Sequence, residues 1–279
     1  MKLKIKPLSN PISKIVKVLI YVAAVITVAM LLFIVGYILI RGVPNLTPSL
    51  FQWEYTTKNV SMLPAIINTV EITVLTLLIA VPLGVFAAIY LVEYSRQSSL
   101  IVKLIRVTTE TLTGIPSIVY GLFGYFAFVL ALGWGYSLAA GIITLAIMVL
   151  PVIVRTTEEA LLAVPVSYRE GSFGLGAGRL RTIFKLIVPS AMPGILSGVI
   201  LAIGRIVGET AALIYTSGTG SQTAVSLTDS ARTLSVHMYC LLSEGLYTNQ
   251  AYATAVVLLV VVIGINAASS ALAKRISKI

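Results

Sequence analysis

The sequence predicts an all-α integral membrane protein with six transmembrane helices. Three observations carry that class. Of 279 residues, 58% are hydrophobic and 11% are charged, against about 25% charged in an ordinary soluble domain. The apolar residues fall in runs of roughly 20, the length a helix needs to cross a bilayer, not in the alternating segments of about ten that a membrane barrel shows. The basic residues alternate by segment: 16 of the 20 Lys and Arg lie in residues 2–17, 96–106, 155–185 and 274–278, while the outer segments between hold only Arg41, Lys58 and Arg232, and Arg205 falls inside an apolar run. That is the positive-inside pattern. It puts both termini in the cytoplasm, so the number of crossings is even. The net charge of +10 is then topology facing membrane lipid, and no nucleic acid is implied.

Residues 1–64 read as an anchor helix with a first outer segment, and residues 65–279 as one transmembrane domain with a cytoplasmic loop at about 156–190. Lys2, Lys4, Lys6, Lys14 and Lys17 hold the N-terminus inside. The first apolar run, about 15–40, is too long for a signal-peptide core and lacks a small-residue cleavage site, so it stays as an anchor. An outer segment, 45–63, carries Trp53 and Tyr55 as interface aromatics. The second helix runs from about 64 to 94 with Pro82 inside, a kink that neighbouring helices can satisfy. Residues 96–110 form an amphipathic helix along the inner surface, with Leu100, Ile101, Leu104 and Ile105 on one face.

The third crossing follows as Gly114-Ile115-Pro116-Ser117-Ile118-Val119-Tyr120-Gly121-Leu122-Phe123-Gly124. Its small residues let backbones approach, and its proline breaks the hydrogen-bond ladder. Gly133-Trp134-Gly135 is a tight outer turn, and the fourth helix returns over about 137–154. The fifth spans about 192–215. Residues 216–230 make an irregular outer loop, 231–246 a short helix in the outer interface, and the sixth helix runs from about 252 to 273.

The stretch from Arg155 to Tyr215 organises the rest. Pro165 suits the first turn of a short helix, where its missing N–H is no loss. Glu170-Gly171-Ser172 then gives an acid and two small residues that can press against another surface. Gly174, Gly176 and Gly178 each cost a helix interior about 1 kcal/mol relative to alanine, so this segment turns sharply or is held by a partner. Leu180, Ile183, Phe184, Ile187 and Val188 restore an apolar stripe, and Pro189 and Pro193 mark re-entry to the membrane.

The spacing Glu170-Gly171-Ser172, three residues, Gly176, nine residues, Leu186-Ile187-Val188-Pro189 resembles the EAA motif of ABC-importer permeases. That motif reads Glu-Ala-Ala, three residues, Gly, nine residues, Ile, any residue, Leu-Pro. Gly171 and Ser172 stand for its alanines, Leu186 for its Ile and Val188 for its Leu, all close in size. The resemblance implies the type I (MetI-like) importer fold, and a coupling helix formed by Glu170, Gly171, Ser172, Gly176 and Pro189 that seats in a cleft of an ATP-binding subunit.

The fifth helix carries Arg205 and Glu209, four apart and so on one helical face. An arginine at a helix centre costs about 2.5–3.5 kcal/mol on insertion scales, and a buried ion pair is poor grounds for stability. Either Arg205 snorkels outward, or it lines a water-accessible path and meets an anion with Glu209 holding it. A guanidinium fork suits a tetrahedral oxyanion. Thr210 is a further hydrogen-bond donor and Ser117 a possible pathway residue. Glu71 sits where a helix-start carboxylate is favoured by the dipole.

Gly204-Arg205-Ile206-Val207-Gly208-Glu209-Thr210-Ala211-Ala212-Leu213, together with the third-crossing motif, resembles the PstA-type phosphate permeases. The resemblance runs from about Asn68 to the C-terminus. It implies an inner-membrane importer subunit for inorganic phosphate, paired with a PstC-like second permease, PstB-like ATP-binding subunits and a PstS-like phosphate-binding receptor. A permease for sulfate or molybdate shares the loop but not the substrate, and an ion-coupled carrier leaves the loop spacing unexplained. No cofactor or metal is expected in this chain. Gly174-Leu175-Gly176-Ala177-Gly178 lacks the Gly-Lys-Ser/Thr ending of a phosphate loop, so ATP belongs to the partner. The one histidine, His237, has no evident nucleophile beside it, which argues against an intramembrane hydrolase.

Overall fold

A computed structural model describes residues 11–95 and 99–276. Lys2, Lys4, Lys6, Arg96 and Lys278 lie outside the described residues. Eleven α-helices make up the described chain: α1 (Pro11–Gly42), α2 (Leu63–Ile89), α3 (Leu100–Thr113), α4 (Ser117–Gly124), α5 (Leu138–Leu162), α6 (Val166–Gly174), α7 (Arg179–Thr182), α8 (Val188–Val207), α9 (Ala211–Thr216), α10 (Leu234–Glu244) and α11 (Thr248–Ile276). Wide π turns extend α2 through Tyr90–Tyr94 and α4 through Tyr125–Ala131, and Ile183–Ile187 joins α7 to α8 in the same way.

Among the described residues, five helices are long and apolar enough to cross a membrane, and six if Leu100–Thr113 and Ser117–Ala131, bent by 102° at their break, count as one span. The bend falls at Gly114-Ile115-Pro116. Proline disfavours helical geometry in the residue before it, and the chain restarts at Ser117 at a new angle. The amphipathic stretch and the third crossing are therefore a broken pair, as the sequence pattern implies.

Packing centres on α5, which lies between α2 and α8. Ile72, Leu145, Met148, Ile153, Ile206 and Leu213 fill the middle of the bundle. A second cluster of Ile89, Leu91, Leu161, Ile183 and Ile187 closes the end of the bundle next to α7, and Leu50, Met62 and Leu234 close the opposite end. Gly84 of α2 lets α5 come close, since a β-carbon there would sit 2.7 Å from Ile153 Cγ2. Near-contact of backbones through small residues is how spanning helices associate where no hydrophobic driving force separates them from lipid. In contrast, α1 is exposed along its apolar length and meets the bundle at α11, with Tyr37 edge-on to Tyr252 at 5.8 Å.

Two predicted boundaries move. The fourth helix, expected to end near 154, stays helical to Leu162. Its polar last turns are held by ion pairs, Arg155 to Glu159 at 3.0 Å one turn on and Arg106 to Glu158 at 2.5 Å across to α3. The fifth, expected over 192–215, is a continuous helical stretch over Arg179–Val207. It begins earlier because the loop's apolar stripe packs into the second cluster, and it ends earlier because the chain breaks at Gly208.

The end opposite α7 is knitted by polar groups. Buried Asn68 of α2 donates to the carbonyls of Gln222 and Arg232 at 3.0 and 3.2 Å, and its own oxygen accepts from the Ala224 amide at 3.0 Å. The loop over 217–233 is thereby tied down without regular structure. The outer helix expected over 231–246 is α10. It is seated more deeply than an interface helix, with Leu234, Ser235, Val236, His237 and Leu241 buried.

Candidate functional site: a charged break in a span and an exposed inner handle

The charged pair comes apart at the end of α8. Arg205 lies in its last turn and is half-buried. The Gly208 and Glu209 amides still donate back, to Gly204 and Ile206 at 3.3 and 3.1 Å, but Glu209 and Thr210 are not helical. The expectation that Arg205 and Glu209 share one helical face therefore fails. Glu209 is buried, its Oε1 accepts the Ala212 amide at 3.0 Å, and its carbonyl accepts from Ser235 Oγ of α10 at 2.5 Å. A carboxylate at the first turn of a helix satisfies amides that have no intrahelical partner and is favoured by the dipole. Glu209 starts α9 and is tied to α10. No ion pair links it to Arg205 among the described residues.

The third crossing lies beside this break, where α4 packs on α9. Tyr120 donates to the Leu112 carbonyl at 2.8 Å, across the bend between α3 and α4. Helix α4 lies directly on α9: a β-carbon on Gly121 would come 2.8 Å from Ala212 Cα. Ser117 is half-buried at the first position of α4, and half-buried Thr210 turns its hydroxyl back toward the Gly208 carbonyl at 3.4 Å. The two broken segments, α3–α4 and α8–α9, thus meet through α4 and α9. Irregular backbone at membrane depth is found where it is buried in protein or lines a cavity.

The second group is the handle. Helix α6 buries none of its residues. Glu170 and Gly171 are exposed, and Ser172 Oγ lies 2.8 Å from Thr182 Oγ1. The chain turns where the glycines predict: Gly176 has φ +82°, a left-handed conformation that favours glycine, and its amide closes onto Phe173 O at 2.9 Å. Leu175, beside the turn, is 91% exposed. Glu170, Gly171, Ser172 and Gly176 are brought together on this short helix and its turn. Pro189 is apart from them, in the first turn of α8.

Sequence reasoning missed a set of charges. Arg106, Glu110, Arg155, Glu158 and Glu159 line a cavity of about 210 Å³ between α3 and α5, with Arg155 also 3.5 Å from Glu110. Arg169 pairs with Glu93 at 2.7 Å. The one legible signal was Glu93 itself, an acid at the end of an apolar run among basic residues.

A family model described as binding-protein-dependent transport system inner membrane component matches residues 80–278, which include both broken segments and the handle. The chain belongs to that family. The probable ABC transporter permease protein YqgI of Bacillus subtilis (strain 168) is 36% identical over 242 residues, covering 80% of this chain and 81% of that protein. The phosphate transport system permease protein PstA 2 of Mycobacterium tuberculosis (strain CDC 1551 / Oshkosh) is also 36% identical, over 78% of this chain and 73% of its own. Among solved structures, a bacterial alginate ABC transporter in complex with its alginate-bound periplasmic protein superposes with a TM-score of 0.67 at 17% identity, covering 95% of this chain and 98% of that one. The MetNI methionine ABC transporter gives 0.58 at 20% identity over 86% and 96%. The fold of this inner membrane component is therefore that of ABC importer permeases, a multi-pass membrane protein.

Proposed function

We propose that this chain is the membrane subunit of an ATP-driven importer for inorganic phosphate, forming half of the translocation pathway beside a PstC-like second permease. PstB-like subunits would bind and hydrolyse ATP against α6, and a PstS-like receptor would deliver the anion from outside. Both termini would lie in the cytoplasm. The subunit makes and breaks no covalent bond of its own.

The observation that carries this reading is Arg205. It is a half-buried guanidinium in the last turn of a spanning helix, beside a helix break, with no carboxylate within ion-pair distance among the described residues. A charge kept at such a place is a functional group by default, and the fork of a guanidinium matches a tetrahedral oxyanion through two parallel hydrogen bonds. The 36% identity to proteins named phosphate permeases favours phosphate over sulfate or molybdate.

The test is radiolabelled phosphate uptake into proteoliposomes holding the full complex. Uptake should require ATP and persist in excess unlabelled sulfate. Uptake by this chain alone, without nucleotide, would show an ion-coupled carrier. Competition by sulfate would show a broader oxyanion importer.

A further inference from the structure

We infer that Arg169 is a positioning residue: it latches the exposed coupling helix α6 to the C-terminal end of α2, so that a push on the handle moves that span. The inference rests on the reading of α6 as the contact for an ATP-binding subunit.

Because α6 buries no residue of its own, apolar packing cannot hold it at a fixed angle to the bundle. Its fixings are polar, and most come from one side chain. Arg169 Nε and Nη2 both donate to Glu93 Oε1, at 3.0 and 2.7 Å. The same guanidinium donates from Nη1 to the Val164 carbonyl and from Nη2 to the Leu161 carbonyl, each at 3.1 Å. The Leu161 and Val164 carbonyls lie at and just past the C-terminal end of α5, where the regular helical pairing of carbonyls runs out. One planar group therefore joins three elements: the handle, the end of α5 and the π turn that ends α2. The pair is largely out of water, with 18% of the Arg169 side chain and 8% of the Glu93 side chain exposed.

A second arginine grips the same turn from the far side of the handle. Arg179 Nη2 donates to the Glu93 carbonyl, and its guanidinium lies 4.7 Å over the Tyr94 ring. Glu93 and Tyr94 are thus held by the residue before the motif and by the residue after its turn, while the Ser172 and Thr182 hydroxyls close the loop between them. Here a lysine is no substitute, because a point charge on a flexible stem cannot hold a carboxylate and two carbonyls in one plane. The arrangement resists shear between α6 and α2, which a mechanical link requires and a solvated surface charge does not supply.

Two measurements on the complete reconstituted complex test the latch. In the first, Arg169→Gln and Glu93→Gln, made singly and together, are scored for phosphate imported per ATP hydrolysed. Each single variant is expected to keep its ATP-binding subunit and its hydrolysis while that ratio falls about tenfold, the scale of a lost coupling contact. The double variant should fall no further than either single one. An unchanged ratio in Glu93→Gln, or losses that multiply in the double variant, would overturn the latch.

The second measurement keeps Arg169. With Cys240 replaced by alanine, spin labels go at exposed positions Tyr168 on α6 and Tyr90 on α2, which are 46% and 59% exposed. Their separation should hold within about 2 Å between nucleotide-free and ATP-bound complex, the scale of helix shifts that leave packing intact. A larger change would show α6 sliding past α2 and reject the link. Failure of the underlying handle reading looks different: Glu170→Lys would then leave co-purification of the ATP-binding subunit untouched.

Discussion

The Glu209 carboxylate accepts the Ala212 amide at 3.0 Å, so it satisfies a first-turn amide of α9 from just before the N-cap residue, Thr210. It therefore fixes the break in the fifth span, and Arg205, one turn earlier, has no carboxylate within ion-pair distance among the described residues. Replacing Glu209 by glutamine keeps an acceptor at that distance and should leave transport near wild type. Replacing it by alanine should cost about 1 kcal/mol of stability, as loss of a helix cap does, and lower uptake with it. Loss of uptake in both, with stability unchanged in the glutamine variant, would return Glu209 to the anion path.

Arg205→Ala should reduce phosphate uptake by roughly 10- to 100-fold, the worth of a hydrogen bond to a charged group, while the complex still assembles. Arg205→Lys should retain part of the activity, since it keeps the charge and loses the fork. Wild-type uptake in Arg205→Ala, measured on complex of equal subunit content, rejects the anion role.

Glu170→Lys reverses an exposed charge on a helix that buries none of its residues. Expression and thermal stability should be unaffected, and the ATP-binding subunit should be lost on affinity purification. Intact co-purification would mean that α6 is not its seat.

The contact of Gly121 with the α9 backbone allows a clean steric test. Gly121→Val should destabilise the subunit by about 1–3 kcal/mol, the usual effect of forcing atoms into a packed site. Gly171→Val, at an open position with nothing within 4 Å of a β-carbon, should not. Comparable melting of the two variants would contradict the α4–α9 packing.

His237 lies outside the spans, in α10. Burial first, and the charge of Arg232 second, push its pKa from 6.5 down to about 3. Both ring nitrogens are buried without a hydrogen-bond partner. The folded state therefore keeps the ring neutral while the unfolded chain takes up a proton, so stability is full above pH 6.5 and declines as pH falls toward about 3. The decline should approach roughly 1.4 kcal/mol per pH unit. His237→Leu should flatten the melting profile between pH 6.5 and 5. An unchanged slope would assign the acid sensitivity elsewhere.

What the amino-acid order determined here is whatever depends on local composition. Runs of roughly 20 apolar residues mark the spans, and the glycines after Glu170 mark a short helix that ends in a turn, because lipid and helix propensity each act on a few neighbouring residues at a time. Even the break at Gly114-Ile115-Pro116 and the turn at Gly176 are local events.

Partnerships across the chain were beyond that reach. Arg205 and Glu209 are four apart, and periodicity alone joins them. Only the meeting of α8, α9 and α10 shows the carboxylate satisfying a first-turn amide of a new helix and the residue bonded through its carbonyl to Ser235. Arg169 and Glu93 are separated by 76 positions, and nothing in either neighbourhood names the other. Such pairs are set by which helices pack together, and that choice is made by the shape and volume of the whole core.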